Sequence, residues 1–400
     1  MLFGRRWISG TTAFRQRNDL WAAPSVTHHF RSLDKPSTHV GRRLTMTAEF
    51  YSSDDCRWYK ELKSLSYDVS HLPAFARMMA RMLGGAPTVF VTKEQGDGAL
   101  IPLIIKRIPL VTDSLEPPQY DARTIPGYPP ILGLETRSAT AKSHRLRFSR
   151  IISQLTDQLN RIDVVTLDLQ FAPQHGLDAK VFSGIGEFKV DGTGVSLHLD
   201  RSECDAWVDL RENHRRDISC AIAMKYFVRV SDGWDGYHLM LNSYGGSTVK
   251  AASKACNMGG REYVLELRKQ LAGHLFCFVV EVAGKVVCAA LVSEVCGTVR
   301  YHFGATHRMH GSLQPLILLV HEVRKWAKQR GNDVFLLGGD LKERDGISWD
   351  MKTGFSPHRQ ELCSMKIVCN PTRYEALSQQ ALREGRPLQR DAFPLYRPTR

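Results

Sequence analysis

Along this chain the rhythm of apolar and polar positions changes in the same order twice. From Thr88 the sequence TVFVTKEQGDGALIPLIIKRIP carries two apolar runs around Gln95-Gly96-Asp97-Gly98, which predicts a β-hairpin. Farther on, LFCFVVEVAGKVVCAALVSEVCGTVRYHFGAT holds three β-branched and aromatic runs divided at Ala283-Gly284-Lys285 and Cys296-Gly297. This predicts an antiparallel meander. Each set leads, after a variable gap, into a helical segment and then one strand: 141–161 and 164–170 in the first case, 315–330 and 333–337 in the second. The repeated order predicts two related α/β halves, inferred from order because the two sequences differ.

The second of these helices is the best defined. Leu316, Leu319, Val320, Val323 and Ala327 form one apolar stripe at helical spacing. Pro315 suits the first turn, and Gly331 is placed to end the helix. Arg324, Lys325, Lys328 and Arg330 crowd its C-terminal half, where cations complement the helix dipole. Between the halves, DAWVDLRENHRRDISCAIAMKY predicts a helix over 205–226 that opens the second domain. Residues 371–400 are polar and include Pro387, Pro394 and Pro398, so a helical turn and a loose tail are expected there. The fold class is therefore α/β (α+β), each half a mixed, largely antiparallel sheet flanked by helices. The expected divisions are 1–45, 46–200, 201–370 and 371–400.

Composition narrows the picture. The 400 residues are 43% hydrophobic, enough for packed cores and for more than one domain. The apolar runs at 275–280 and 316–320 stop at Glu281 and His321, well short of the roughly 18 residues of a membrane span. The net charge of +13 invites a nucleic-acid reading, but residues 1–45 hold +6 of it. That segment lacks the apolar core of a secretory signal and reads as a disordered extension, or as codons upstream of a start at Met46. The rest shows no interleaved basic and aromatic stripe, so DNA binding is not expected and RNA enters only if tRNA carries a substrate. The nine cysteines are odd in number, lack C-x-x-C spacing and often fall in apolar runs, which points to free thiols in a reducing, cytoplasmic setting. Neither cysteines nor histidines stand at ligand spacing, so no metal is expected.

Three constellations could carry chemistry. In GATHRMHGSLQPLILLV, Arg308, Gly311 and Ser312 stand at a strand-to-helix entrance, suited to a pyrophosphate or carboxylate, or simply to a turn and a helix cap. In FLLGGDLKERDGISWDMKTGF a strand ends in Gly338-Gly339-Asp340, where open α/β sheets bind ligands. Residues 349–355 then re-enter the core, with Lys352 between Met351 and Gly354-Phe355, either turned to the cleft or snorkelling to solvent. In Asn213-His214-Arg215-Arg216-Asp217-Ile218 the adjacent arginines diverge on a helix, so at most one serves any one contact. Otherwise they form a solvated face.

Taken in order, WVDLRENHRRDISCA, YHLMLNSYGGS, HLFCFVVEVAGKVVCAALV, VRYHFGATH, LLVHEVRKWAKQRGNDVFLLGG and MKTGFSP resemble the FemAB-like branch of the acyl-CoA N-acyltransferase (GNAT) superfamily. The resemblance implies two GNAT-like domains and acyl transfer to an amine, in relatives associated with the cell envelope or exopolysaccharide. It implies acyl-CoA, such as acetyl-CoA, or aminoacyl-tRNA as donor. Of the family's F-K-x-G-F motif this chain keeps Lys352, Gly354 and Phe355 and has Met351 for the first aromatic, so hydrophobic support replaces stacking. The family's N-x-R-x-x-I helix implies acceptor phosphate contacts at Arg215 or Arg216. Its pyrophosphate loop Q/R-x-x-G-x-G/A corresponds to Arg308–Leu313, which loses only the last small residue.

The expected chemistry is attack of an acceptor amine on an activated carbonyl. Lys352 would face the oxyanion, the 308–313 loop would hold donor phosphates, and Asp340 or Asp345 would take the proton. The alternative is a binding protein that retains the scaffold without turnover.

Overall fold

The computed structural model describes residues 47–397, apart from 64, 95–96, 110–116, 129–130, 132–140, 172–185, 244–260, 311–313, 341–346 and 386–392. The expectation for residues 1–45 lies outside the described residues. The first half runs β1 (Thr47–Ser52), α1 (Cys56–Leu62), a 3-10 turn (Val69–His71), α2 (Pro73–Leu83), β2 (Ala86–Glu94), β3 (Asp97–Arg107), β4 (Tyr120–Arg123), α3 (Ala141–Arg161) and β5 (Val164–Phe171). β6 (Glu187–His198) leads to α4 (Glu203–Val208), α5 (Glu212–Ala223), β7 (Phe227–Val230), α6 (Asp235–Ser243) and α7 (Arg261–Gln270). The meander β8 (Leu275–Val282), β9 (Lys285–Val295) and β10 (Thr298–Thr306) follows. Then come α8 (Gln314–Gln329), β11 (Val334–Asp340), α9 (Ile347–Thr353), β12 (Arg359–Val368) and α10 (Pro371–Arg383).

Among the described residues twelve strands lie in one sheet of order β1-β2-β3-β4-β5-β12-β6-β11-β10-β9-β8-β7. Read inward from either end, three antiparallel pairs are followed by one parallel pair (β4–β5, β10–β11) and one antiparallel pair (β5–β12, β11–β6). The predicted repeat is therefore present in the pairing itself. The two central strands are exchanged: β6 follows the first half in sequence yet pairs with β11, and β12 follows the second half yet pairs with β5. β6 and β12 also pair with each other, and residues 44–400 form one compact unit.

Local chemistry accounts for the elements. Both hairpin turns of the meander place two successive residues at positive φ (Ala283 and Gly284, Cys296 and Gly297), the turn twist that matches paired strands. Asp55 caps α1 by accepting from the Arg57 N–H, and Pro73 opens α2. On one face of the sheet α1, α2, α6 and α7 share a core that includes Trp58, Phe75, Met79, Tyr237, Val264 and Leu267. On the opposite face α3 covers the first half, while α4, α5, α8 and α9 cover the second. No helix among the described residues is long and apolar enough to cross a membrane.

Two expectations need correction. The helix read over 205–226 is two helices, because Leu210 turns into the core and the Arg211 N–H goes to the Gly354 carbonyl (2.8 Å). Nor do residues after 371 form a single turn and a loose tail. α10 is 13 residues long, and Tyr396, 1% exposed, packs beside Leu377 and Ala381. The Tyr396 hydroxyl donates to Asp121 on β4, and Arg397 pairs with the same carboxylate. Polarity and prolines concealed two aromatic anchors, Tyr374 and Tyr396, whose burial is set by the surface they meet.

Candidate active site

The parallel pair of the second half comes apart. β10 and β11 are in register only from Thr298 to Arg300 and from Val334 to Leu336. Beyond that, among the described residues, β10 from Tyr301 onward pairs with β9 and β11 from Gly338 to Asp340 pairs with β6. Register shifts at Tyr301/Phe303 and Leu336/Gly338 turn the two strands from each other at that point. In the first half the equivalent strands stay closed. The Thr124 N–H donates to the Asp168 carbonyl (3.1 Å), its hydroxyl donates to the Gln170 carbonyl (2.8 Å), and the Gln170 N–H returns to that hydroxyl (2.7 Å). The opening at the carboxyl ends of a parallel pair is thus present between β10 and β11 and sealed between β4 and β5.

Lys352 lies in the last turn of α9, beside this opening. Gly338 has φ +77°, and a Cβ built on it would stand 3.9 Å from Lys352 Nζ, so the ammonium lies against the β11 bulge. Gly339 has a different reason to be glycine. A Cβ there would meet the Thr193 carbonyl at 2.6 Å and Leu362 at 2.4 Å, so the close approach is to β6 and β12. Met351 does not line the opening: it is 3% exposed and belongs to the core beneath α9, with Phe355.

The helix arginines separate as well. Arg215 donates to the Val208 and Leu210 carbonyls (3.0 and 2.8 Å), closing the break between α4 and α5. Arg216 is exposed beside Asp217. Arg211 reaches the Lys352 helix instead, donating to Thr353 Oγ1 (2.9 Å), and Arg359 donates to the Ser356 and His358 carbonyls (2.5 and 3.1 Å). Burial, with Arg211 nearby, lowers the Arg359 pKa from its ordinary value. Arg308 begins a 3-10 turn (Arg308–His310) between β10 and α8. Its side chain lies outside the described part of the structure, as do Gly311, Ser312, Asp345 and the side chain of Asp340.

Residues that sequence reasoning passed over gather where β10 begins to separate. Arg300 Nη2 lies 2.6 Å from Asp68 Oδ2, joining the second half to the 3-10 turn of the first, and its guanidinium stacks on Tyr128 (4.5 Å). Burial alone would raise the Asp68 pKa, but Arg300 outweighs it and holds the carboxyl below its usual value. His302 Nε2 is 2.8 Å from Ser293 Oγ, and its Nδ1 faces the hydroxyls of Tyr128 (3.3 Å) and Tyr263 (3.4 Å). Burial and Arg300 push its pKa down to about 3, so the imidazole is neutral at physiological pH. The available signal was a charge and an imidazole at alternate positions of an otherwise apolar strand. No group of three potential metal ligands occurs among the described residues.

Residues 237–344 match the family described as acetyltransferase (GNAT) domain. The chain carries a GNAT acyltransferase domain. Its fold is shared with a crystal structure of FemX, with a TM-score of 0.58 and 10% identity, covering 82% of this chain and 99% of that one. Also similar are L-PGS from Bacillus licheniformis (TM-score 0.47, 13% identity, 78% and 92% covered) and a tandem GNAT protein from the clavulanic acid biosynthesis pathway (0.42, 13%, 82% and 99%). A search of curated proteins finds no match. The strand order repeated across the sheet gives the fold a tandem character, and the likeness to FemX is one of fold. The matched segment runs from α6 through β11, so it contains the opened strand pair and ends before Lys352.

Proposed function

We propose that this acyltransferase moves an acyl or aminoacyl group from a thioester such as acetyl-CoA, or from aminoacyl-tRNA, to an amine on a cell-envelope, polysaccharide or peptidoglycan precursor in the cytoplasm. The halves are taken as 46–200 and 201–370. One observation carries the reading: the β10–β11 pair opens where Lys352 Nζ lies against the Gly338 bulge. The diverging strand ends would present backbone donors and acceptors to an extended donor chain. Its phosphates would meet the turn from Arg308 and the start of the 16-residue α8.

The acceptor amine attacks the donor carbonyl carbon and forms the C–N bond. The carbonyl electrons move to oxygen, where Lys352 offsets the developing charge. The intermediate then breaks its bond to the thiolate or tRNA hydroxyl oxygen, and the amine proton passes to that leaving group through water or through Asp340 or Asp345. Holding both substrates beside one bulge supplies proximity.

The test is a panel of acetyl-CoA and aminoacyl-tRNA donors with amino-sugar and peptide acceptors, products read by mass spectrometry. Lys352→Ala is expected to lower turnover by about 10²–10³-fold, the effect of losing one oxyanion donor. Arg308→Ala should raise the KM for the donor and flatten its dependence on salt. Full activity in both variants would sink the assignment.

A further inference from the structure

The helix that bears Lys352 is short, seven residues, and helices of this length hold their shape through tertiary contacts. What grips it is His214. This residue is buried on α5, and its Nε2 lies 2.8 Å from the Met351 carbonyl oxygen, one residue before Lys352. A carbonyl only accepts, so Nε2 carries the proton in this contact. Burial lowers the imidazole's pKa, and its Nδ1 lies 3.2 Å from Asn213 Oδ1.

Two residues after Lys352 the same ring defines the backbone. A Cβ on Gly354 would fall 2.3 Å from both Cε1 and Nε2 of His214, so the glycine leaves the space that the ring fills. The ring then meets Phe355 edge to face, with centroids 4.9 Å apart. Arg211 completes the grip, its N–H donating to the Gly354 carbonyl at 2.8 Å. Residues 351, 354 and 355 are each fixed by α5, and Lys352 lies between them.

We propose that His214 is a positioning residue: through the Met351 carbonyl and the Gly354 notch it sets where the Lys352 ammonium stands relative to the Gly338 bulge. The proposal rests on the catalytic reading of Lys352 for its consequence in turnover, but not for its geometry.

The geometry is tested without a substrate. Trace acetylation with acetic anhydride, read by peptide mass spectrometry, gives the reactivity of Lys352 relative to the exposed Lys189 in the full-length protein. His214→Leu keeps a buried apolar group and removes the donor; it is expected to change the relative Lys352 rate at least threefold. His214→Gln restores an N–H donor and should return the rate to within about 1.5-fold of wild type. If the leucine variant does not fold, Gly354→Ala presses on the ring from the other side and should produce the same change. Wild-type Lys352 reactivity in the folded leucine or Gly354→Ala variant, or equal change in leucine and glutamine variants, overturns the proposal.

Turnover supplies the second arm. In the wild-type background His214→Leu should lower kcat at least tenfold and leave the donor KM within threefold. In the Lys352→Ala background it should have no further effect on kcat. Multiplicative losses would overturn the positioning role, whereas undiminished turnover of Lys352→Ala alone would remove the catalytic reading and leave the reactivity result standing.

Discussion

The Asp68–Arg300 pair makes the sharpest energetic prediction because it joins the two halves inside the molecule. Its side chains are 5% and 8% exposed, and both Nε and Nη2 of Arg300 approach Asp68 Oδ2 (3.2 and 2.6 Å). Asp68 Oδ1 meanwhile accepts from the Ser70 N–H (3.2 Å) at the start of the 3-10 turn. Asp68→Leu strands the Arg300 guanidinium over the Tyr128 ring with no anion. Removing one partner of such a pair costs about 3–5 kcal/mol, because the remaining charge stays desolvated. Arg300→Met strands the carboxylate instead. Burial then raises the Asp68 pKa, so the folded state binds the extra proton and this variant's deficit relative to wild type shrinks as pH falls from 7 to 5. The double variant, with neither charge, should lose far less than the two single losses together, by a coupling of at least about 2 kcal/mol. Urea denaturation followed by circular dichroism and by tryptophan fluorescence measures all four proteins. Additive losses, with coupling below about 0.5 kcal/mol, would refute the view that this pair is a desolvated unit bridging the halves.

Two further outcomes follow from buried groups. His302 and His321 have pKa values pushed down to about 3 and about 4, mainly by burial, against 6.5 in the unfolded chain. The unfolded state therefore binds more protons as pH falls below 6.5, and each histidine should cost about 2 kcal/mol of stability by pH 5; equal urea midpoints at pH 7 and pH 5 would contradict this. Ending the chain before Phe393 removes Tyr396 and Arg397 and leaves the buried Asp121 carboxylate with the Thr166 hydroxyl (2.7 Å) as its remaining side-chain partner. A loss of about 3–5 kcal/mol is expected in the same denaturation assay, and a loss below about 1 kcal/mol would show that the C-terminal segment is dispensable.

What sequence alone determined is what nearest neighbours in the chain determine. The hairpins are paired as the turn residues require, α3 spans the predicted 141–161, and α8 lies within one residue of 315–330 at each end. Period and turn chemistry are local properties, and they suffice for element type and for the repeated order. The break at Leu210 escaped because it depends on a core position and on the Gly354 carbonyl, far along the chain.

The site divided in the same way. Lys352 and Gly338 were readable as candidates, since a lysine among apolar anchors and a glycine at a strand's end are unusual in themselves. Their meeting was decided by tertiary structure, as was the use of Arg215 on backbone carbonyls and of Arg211 beside Thr353. Neighbouring residues on a helix share their sequence context but diverge in direction, so only the packing of α5 against α9 selects between them. The exchange of β6 and β12, and the pairing of Asp68 with Arg300, join residues more than 130 positions apart. No local pattern encodes such contacts: they exist because burying both faces of one continuous sheet leaves these groups each other as their partners in place of water.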